Sequence, residues 1–98
     1  MSTPEPQAIS VSDLTQQIKN VLEGSFPILW ISGEISNFVH HGSGHMYFTL
    51  KDEKAEIRGV MFKGFNQFLH FKPENGMQVL LEGDLTIYEA RGQYQIVA

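Results

Sequence analysis

Apolar and polar residues recur every three or four positions before Pro27 and alternate one by one after it. In the first part Val11, Leu14, Ile18, Val21 and Leu22 form one helical stripe, which predicts an amphipathic helix. Ser12 is its expected N-cap, Asp13 sits where the helix dipole favours an anion, and Gly24 is its expected left-handed close. The polar side (Thr15, Gln16, Lys19, Asn20) reads as solvated, and the helix as a lid or plug for a sheet. From Ile28 to Ser36 the period is two: Leu29, Ile31, Gly33 and Ile35 oppose Trp30, Ser32, Glu34 and Ser36. This is a first strand, in which Gly33 predicts a bend or bulge. A loop from Asn37 to Gly44 follows. In the next strand Met46, Phe48 and Leu50 share one face and Tyr47, Thr49 and Lys51 the other, as in a half-buried strand.

A charged turn, Lys51–Lys54, leads to a third strand over Glu56–Phe62, with Ile57, Gly59 and Met61 opposite Arg58, Val60 and Phe62. Gly64–Phe71 fits a short helix stopped by Pro73. Gln78–Tyr88 is the longest strand, with Val79, Leu81, Gly83, Leu85 and Ile87 on one face. Ala90–Gln93 is a hairpin loop, and Tyr94–Val97 a fifth strand. The order is helix, three strands, short helix, two strands. That is the plan of an all-β, five-stranded OB-fold Greek-key barrel with flanking helices. Residues 1–8, with two prolines and no apolar period, read as a disordered tail, and residues 9–98 as one domain. The chain closes on a strand without a polar tail, which suggests a fragment of a longer protein.

Composition narrows the function. Of the 98 residues 42% are hydrophobic and 18% charged, and none is cysteine, so one ordinary globular domain without disulfide or thiolate chemistry is expected. No membrane span or signal peptide is apparent, so a cytoplasmic location follows by default. The net charge of −4 argues against a generic polyanion binder, since non-specific affinity comes mostly from neutralised phosphates. Yet six of the seven basic residues lie between Lys51 and Arg91, so any nucleic acid would be held by one local face.

Candidate chemistry is sparse. His40, His41 and His45 crowd one loop, but no acidic residue or cysteine accompanies them to complete a zinc site. Glu82 and Asp84 share a strand face without a neighbour to shift a pKa. No serine sits in an elbow motif, and Gly42-Ser43-Gly44 leads into a strand rather than a helix. Catalytic, metal and cofactor sites are therefore not expected. The remaining constellation is aromatic and basic. On an OB barrel, ligands lie across strands two and three and between the first and last hairpin loops. That rule selects His40, His41 and His45, then Tyr47, Thr49 and Lys51, then Arg58, Val60 and Phe62 with Lys63, and Tyr88, Arg91 and Tyr94. A ring beside a cation suits a stacked base and its phosphate. The same residues also make an ordinary solvated face, and Tyr88 and Tyr94 could serve hairpin packing alone.

Five stretches in this order resemble one family: Ile9–Leu14, Trp30–Asn37, Ser43–Asp52, Val60–Phe62 and Tyr88–Gln95. They look like the N-terminal domain of the exodeoxyribonuclease VII large subunit, from Ile9 to the last residue. The resemblance implies an OB-fold that grips single-stranded DNA for a nuclease whose catalytic domain lies further along the chain. It implies degradation from either end to oligonucleotides, work with copies of a small helical subunit, action in the bacterial cytoplasm, and no strict divalent-metal cofactor. No catalytic residue has a counterpart here. The nucleic-acid-binding residues expected are His45, Tyr47, Lys51, Arg58, Phe62, Lys63, Tyr88, Arg91 and Tyr94. The stretch Gly64–His70 departs from the family in lacking arginines. A protein-docking module of the same fold is the alternative.

Overall fold

A computed structural model describes residues 6–67, 69 and 71–98. Its elements are α1 (Val11–Ser25), β1 (Leu29–His40), β2 (Met46–Lys51), β3 (Glu56–Met61), α2 (Lys63–Asn66), β4 (Gln78–Tyr88) and β5 (Gln93–Val97). The strands close into a barrel in the order β1-β2-β3-β5-β4. Every pair is antiparallel except β3 with β5, which run parallel. This is the Greek-key arrangement that the element order predicts.

The alternation in β2 is translated directly. Met46, Phe48 and Leu50 are buried while Tyr47 is exposed. Ile35, Phe48 and Leu50 form the centre of the core, with Ile31, Ile57, Val79 and Leu81 packed around them. Trp30 points outward, on the expected face opposite Ile31. Gly33 is needed for space rather than for a bulge: a Cβ there would meet Leu50 Cγ at 2.8 Å. Gly59 plays the same part opposite Phe48, its partner across β2–β3.

Several boundaries differ from the expectation. The bulge lies at Asn37, whose φ is 50°, and the register steps there from Ser36↔Thr49 to Val39↔Tyr47. The bulge lets β1 run on to His40, so the first half of the loop expected over Asn37–Gly44 is strand. Ser10, not Ser12, caps α1, its Oγ accepting from Asp13 N at 3.0 Å. The helix runs through Gly24 and ends at Phe26, extended at φ −115°, ψ 110°, because a residue before proline is pushed out of the helical region. The second helix is a single turn, Lys63–Asn66, shorter than the expected Gly64–Phe71. Phe68's place in it lies outside the described residues, as do the first five positions of the tail expected over 1–8.

α1 is no plug, because the barrel is filled by its own inward side chains. The helix leans on β4, where Thr86 Oγ1 donates to Glu23 Oε1 at 3.0 Å, and just past the end of that strand Lys19 Nζ lies 2.7 Å from Glu89 Oε1. Thr15, Lys19 and Leu22 are its half-buried positions, whereas Val11, Leu14, Ile18 and Val21 stay exposed. The side read as merely solvated thus supplies part of the contact. Among the described residues no helix is long and apolar enough to cross a membrane.

Candidate nucleic-acid interface

The outer face of β2 and β3 is overhung by the β4–β5 hairpin. The resulting cleft is two cavities that share Asn37, Thr49 and Arg58. The larger, of about 770 Å³, is lined by His41, Tyr47, Arg58, Tyr88, Arg91 and Gln95, among others. The smaller, of about 400 Å³, adds Glu56, Gly92, Gln93 and Tyr94. A third cavity at the barrel mouth, about 120 Å³, continues the path from Tyr94 to Lys51.

Strand register explains which side chains meet. Thr49 pairs with Arg58 across β2–β3, and Arg58 with Gln95 across β3–β5. These side chains stand in one row on the outer face, with Tyr47 two residues along from Thr49. Tyr47 is 42% exposed and its ring meets that of His41 edge-on, with centroids 6.1 Å apart. His41 is oriented in turn by Ser43, whose backbone N donates to Nδ1 at 3.0 Å. Tyr88 and Tyr94 are exposed, but Tyr94 pairs with Ile87 and shares the inward parity of Ile96. It therefore emerges at the mouth of the barrel rather than on the face carrying Tyr47.

Of the nine residues expected in the site, Tyr47, Arg58, Tyr88, Arg91, Tyr94 and Lys51 line this path. Lys51 is tied to Glu34, with Nζ 3.5 Å from Oε2, and also borders a cavity shared with Asp52, Glu53 and Lys54. His45, Phe62 and Lys63 form a separate group at the base of the β1–β2 loop. His45 Nδ1 accepts from Lys63 N at 3.0 Å, and its ring meets Phe62 edge-on at 5.3 Å. Asn66 Nδ2 donates to Gly44 O at 2.7 Å, so the loop is pinned to α2. Val60 was expected on the ligand face but is only 4% exposed, hemmed between β2 and β5 with Ala98 N donating to its carbonyl. Asn37 and Gln95 were not foreseen as cleft residues. For Gln95 the available signal was its outward parity in β5, and for Asn37 the known tolerance of asparagine for left-handed backbone.

Arg58 and Arg91 put two guanidinium groups on the larger cavity, which no carboxylate lines. The larger cavity is locally cationic on a chain of net charge −4, and Glu56 enters only at the smaller one. The carboxylates Glu34, Asp52 and Glu53 instead border the cavity beyond Lys51. Asp52 has its carboxyl held below the usual carboxylate range by backbone hydrogen bonds, first from Lys54 N and then from Ala55 N. That arrangement stabilises the β2–β3 turn. Among the described residues no three His, Cys, Asp or Glu side chains come together as a metal-holding group.

A closed five-stranded barrel of this connectivity, with an aromatic and cationic cleft between its first and last hairpins, defines the class of oligomer-binding OB domains. The family described as OB-fold nucleic acid binding domain matches residues 9–98, and the chain belongs to it. Among curated proteins it is similar to the exodeoxyribonuclease 7 large subunit of Shouchella clausii, 53% identical over 94 residues, or 94% of this chain and 20% of that protein. The subunit of the same name from Tolumonas auensis is 47% identical over 97 residues, 99% of this chain and 22% of that protein. That from Rhodopirellula baltica is 48% identical over 96 residues, covering 98% and 22%. The chain spans about a fifth of the length of these relatives.

Proposed function

We propose that this domain captures single-stranded DNA for a nuclease of the exodeoxyribonuclease VII type. Tyr47 and Tyr88 stack under bases, Tyr94 guides the strand at the barrel mouth, and Arg58 and Arg91 neutralise phosphates. Lys51 flanks one exit of the path. His45, Phe62 and Lys63 extend it past the β1–β2 loop. The observation that carries this reading is the convergence of Tyr47, Arg58, Tyr88 and Arg91, from three strands and a hairpin, on one cavity without a carboxylate. Stacking on an exposed ring contributes roughly 1–3 kcal/mol per base and is tolerant of sequence, which suits an enzyme that must take any strand. The name shared by the relatives, an exodeoxyribonuclease large subunit, supports a role in exonuclease action on DNA; degradation to oligonucleotides in the bacterial cytoplasm, a small subunit as partner and catalysis outside these residues complete the proposal.

A second reading, docking of a protein partner, is favoured by Trp30 and Leu80. They sit on neighbouring strands, near each other on the outer face of β1 and β4, at 64% and 65% exposure. Fluorescence anisotropy of labelled oligo(dT), with duplex of equal length as control, separates the two. Capture requires preference for the single strand and weakening with salt. Equal binding of duplex refutes the preference for single strands, and no binding at high protein concentration speaks for docking.

A further inference from the structure

Asn37 occupies the left-handed region at φ 50°, which asparagine adopts more readily than most residues with a side chain. Backbone geometry therefore explains why the residue is compatible with the bulge, but leaves its amide unexplained. The side chain is exposed and borders both cavities of the cleft. Its contact with the protein is a long one, Nδ2 to Thr49 Oγ1 at 3.5 Å, and Oδ1 has no hydrogen-bond partner among the described residues. Through Thr49, Arg58 and Gln95 the register continues the row across β2, β3 and β5. Asn37 thus ends a polar row that runs beside Tyr47 along the floor of the cleft.

We propose that Asn37 reads the Watson–Crick edge of one unpaired base whose ring is stacked in the cleft. This rests on the capture reading above and adds a base-edge contact to it. A carboxamide presents an acceptor and two donors side by side. The free edge of a thymine presents N3–H beside a carbonyl oxygen, so two hydrogen bonds form in one plane, as amides do with base edges elsewhere. In a duplex that edge is occupied by the opposite strand. Stacking on Tyr47 is indifferent to this difference, whereas the Asn37 contact depends on it.

The test compares oligo(dT) with the same oligonucleotide built from N3-methylthymidine, which keeps the ring for stacking and removes the N3 donor. Wild type should bind the methylated strand about fivefold or more weakly, the lower end of what one bidentate base contact discriminates. Asn37→Gly keeps the left-handed backbone without penalty and should melt close to wild type while binding both strands alike. Asn37→Asp, which keeps the acceptor for N3–H but loses the donor to the carbonyl, is a second variant and should bind oligo(dT) more weakly than wild type while still disfavouring the methylated strand. Discrimination that persists in Asn37→Gly, or is missing in wild type that binds oligo(dT) well, overturns the assignment of Asn37 and leaves capture standing. Failure of wild type to bind oligo(dT) at all removes the capture reading, and this one with it.

Discussion

Arg58 and Arg91 are the guanidinium groups of the larger cavity, and neither forms an ion pair among the described residues. Both are free to meet phosphate. Each phosphate neutralised on a single strand releases counterions, giving log affinity against log salt a slope of about −0.7. Two contacts give about −1.4, so raising salt from roughly 50 to 200 mM should weaken binding about sevenfold. Arg58→Ala leaves one contact, and the same fourfold step should then weaken binding only about 2.6-fold. Arg58 is exposed, and its place in β3 is kept by backbone pairing with Thr49 and Gln95, so the variant should melt like wild type. The assay is anisotropy of labelled oligo(dT) over a salt titration, with thermal melts alongside. An unchanged slope in Arg58→Ala would refute the phosphate contact. A reduced affinity matched by a large fall in melting temperature would mean that the side chain is structural.

Tyr47→Ala should lower affinity by the roughly 1–3 kcal/mol of one stacked base while leaving the salt slope unchanged; a changed slope in the same titration would contradict the division of labour between ring and cation. Gly59→Ala would drive a Cβ into the ring of Phe48, and overpacking of this kind costs about 1–3 kcal/mol. A domain of this size loses about 4–8 °C per kcal/mol, so a wild-type melting curve would show that the ring has room to move. The lowered carboxyl of Asp52 contributes stability that is present above the ordinary carboxylate range and lost as pH falls through the lower folded value. Asp52→Asn should therefore lose less stability on acidification than wild type, and equal acid losses in paired melts would remove Asp52 from the account.

The part of the fold that depends on local alternation was legible before any coordinates. Met46, Phe48 and Leu50 had to be buried together because side chains in a strand point to alternate faces, whereas the glycines at 33, 59 and 83 leave no room for a Cβ, a crowding between strands that the bend or bulge expected at Gly33 did not anticipate. The change of period at Pro27 located the first strand, and the order of elements identified the barrel. The face of α1 was misread because amphipathicity says that a stripe exists, not that this chain covers it. Lys19 and Glu23 reach β4 while Val11 and Val21 remain exposed.

For the site, local pattern was enough to show which residue types stood on the outward face of β2 and β3 and that the cations were gathered in the second half of the chain. Tyr47, Arg58 and Arg91 follow from that reading. It took the closed barrel to bring Asn37 and Gln95 to them, to turn Tyr94 to the barrel mouth, and to gather His45, Phe62 and Lys63 into their own group around the β1–β2 loop. The physical reason is one of range. Alternation fixes the face a side chain takes within its own strand, but a cleft is assembled between strands. That depends on register, on where a bulge shifts it, and on how a hairpin folds over its neighbours, none of which is set by residues adjacent in sequence.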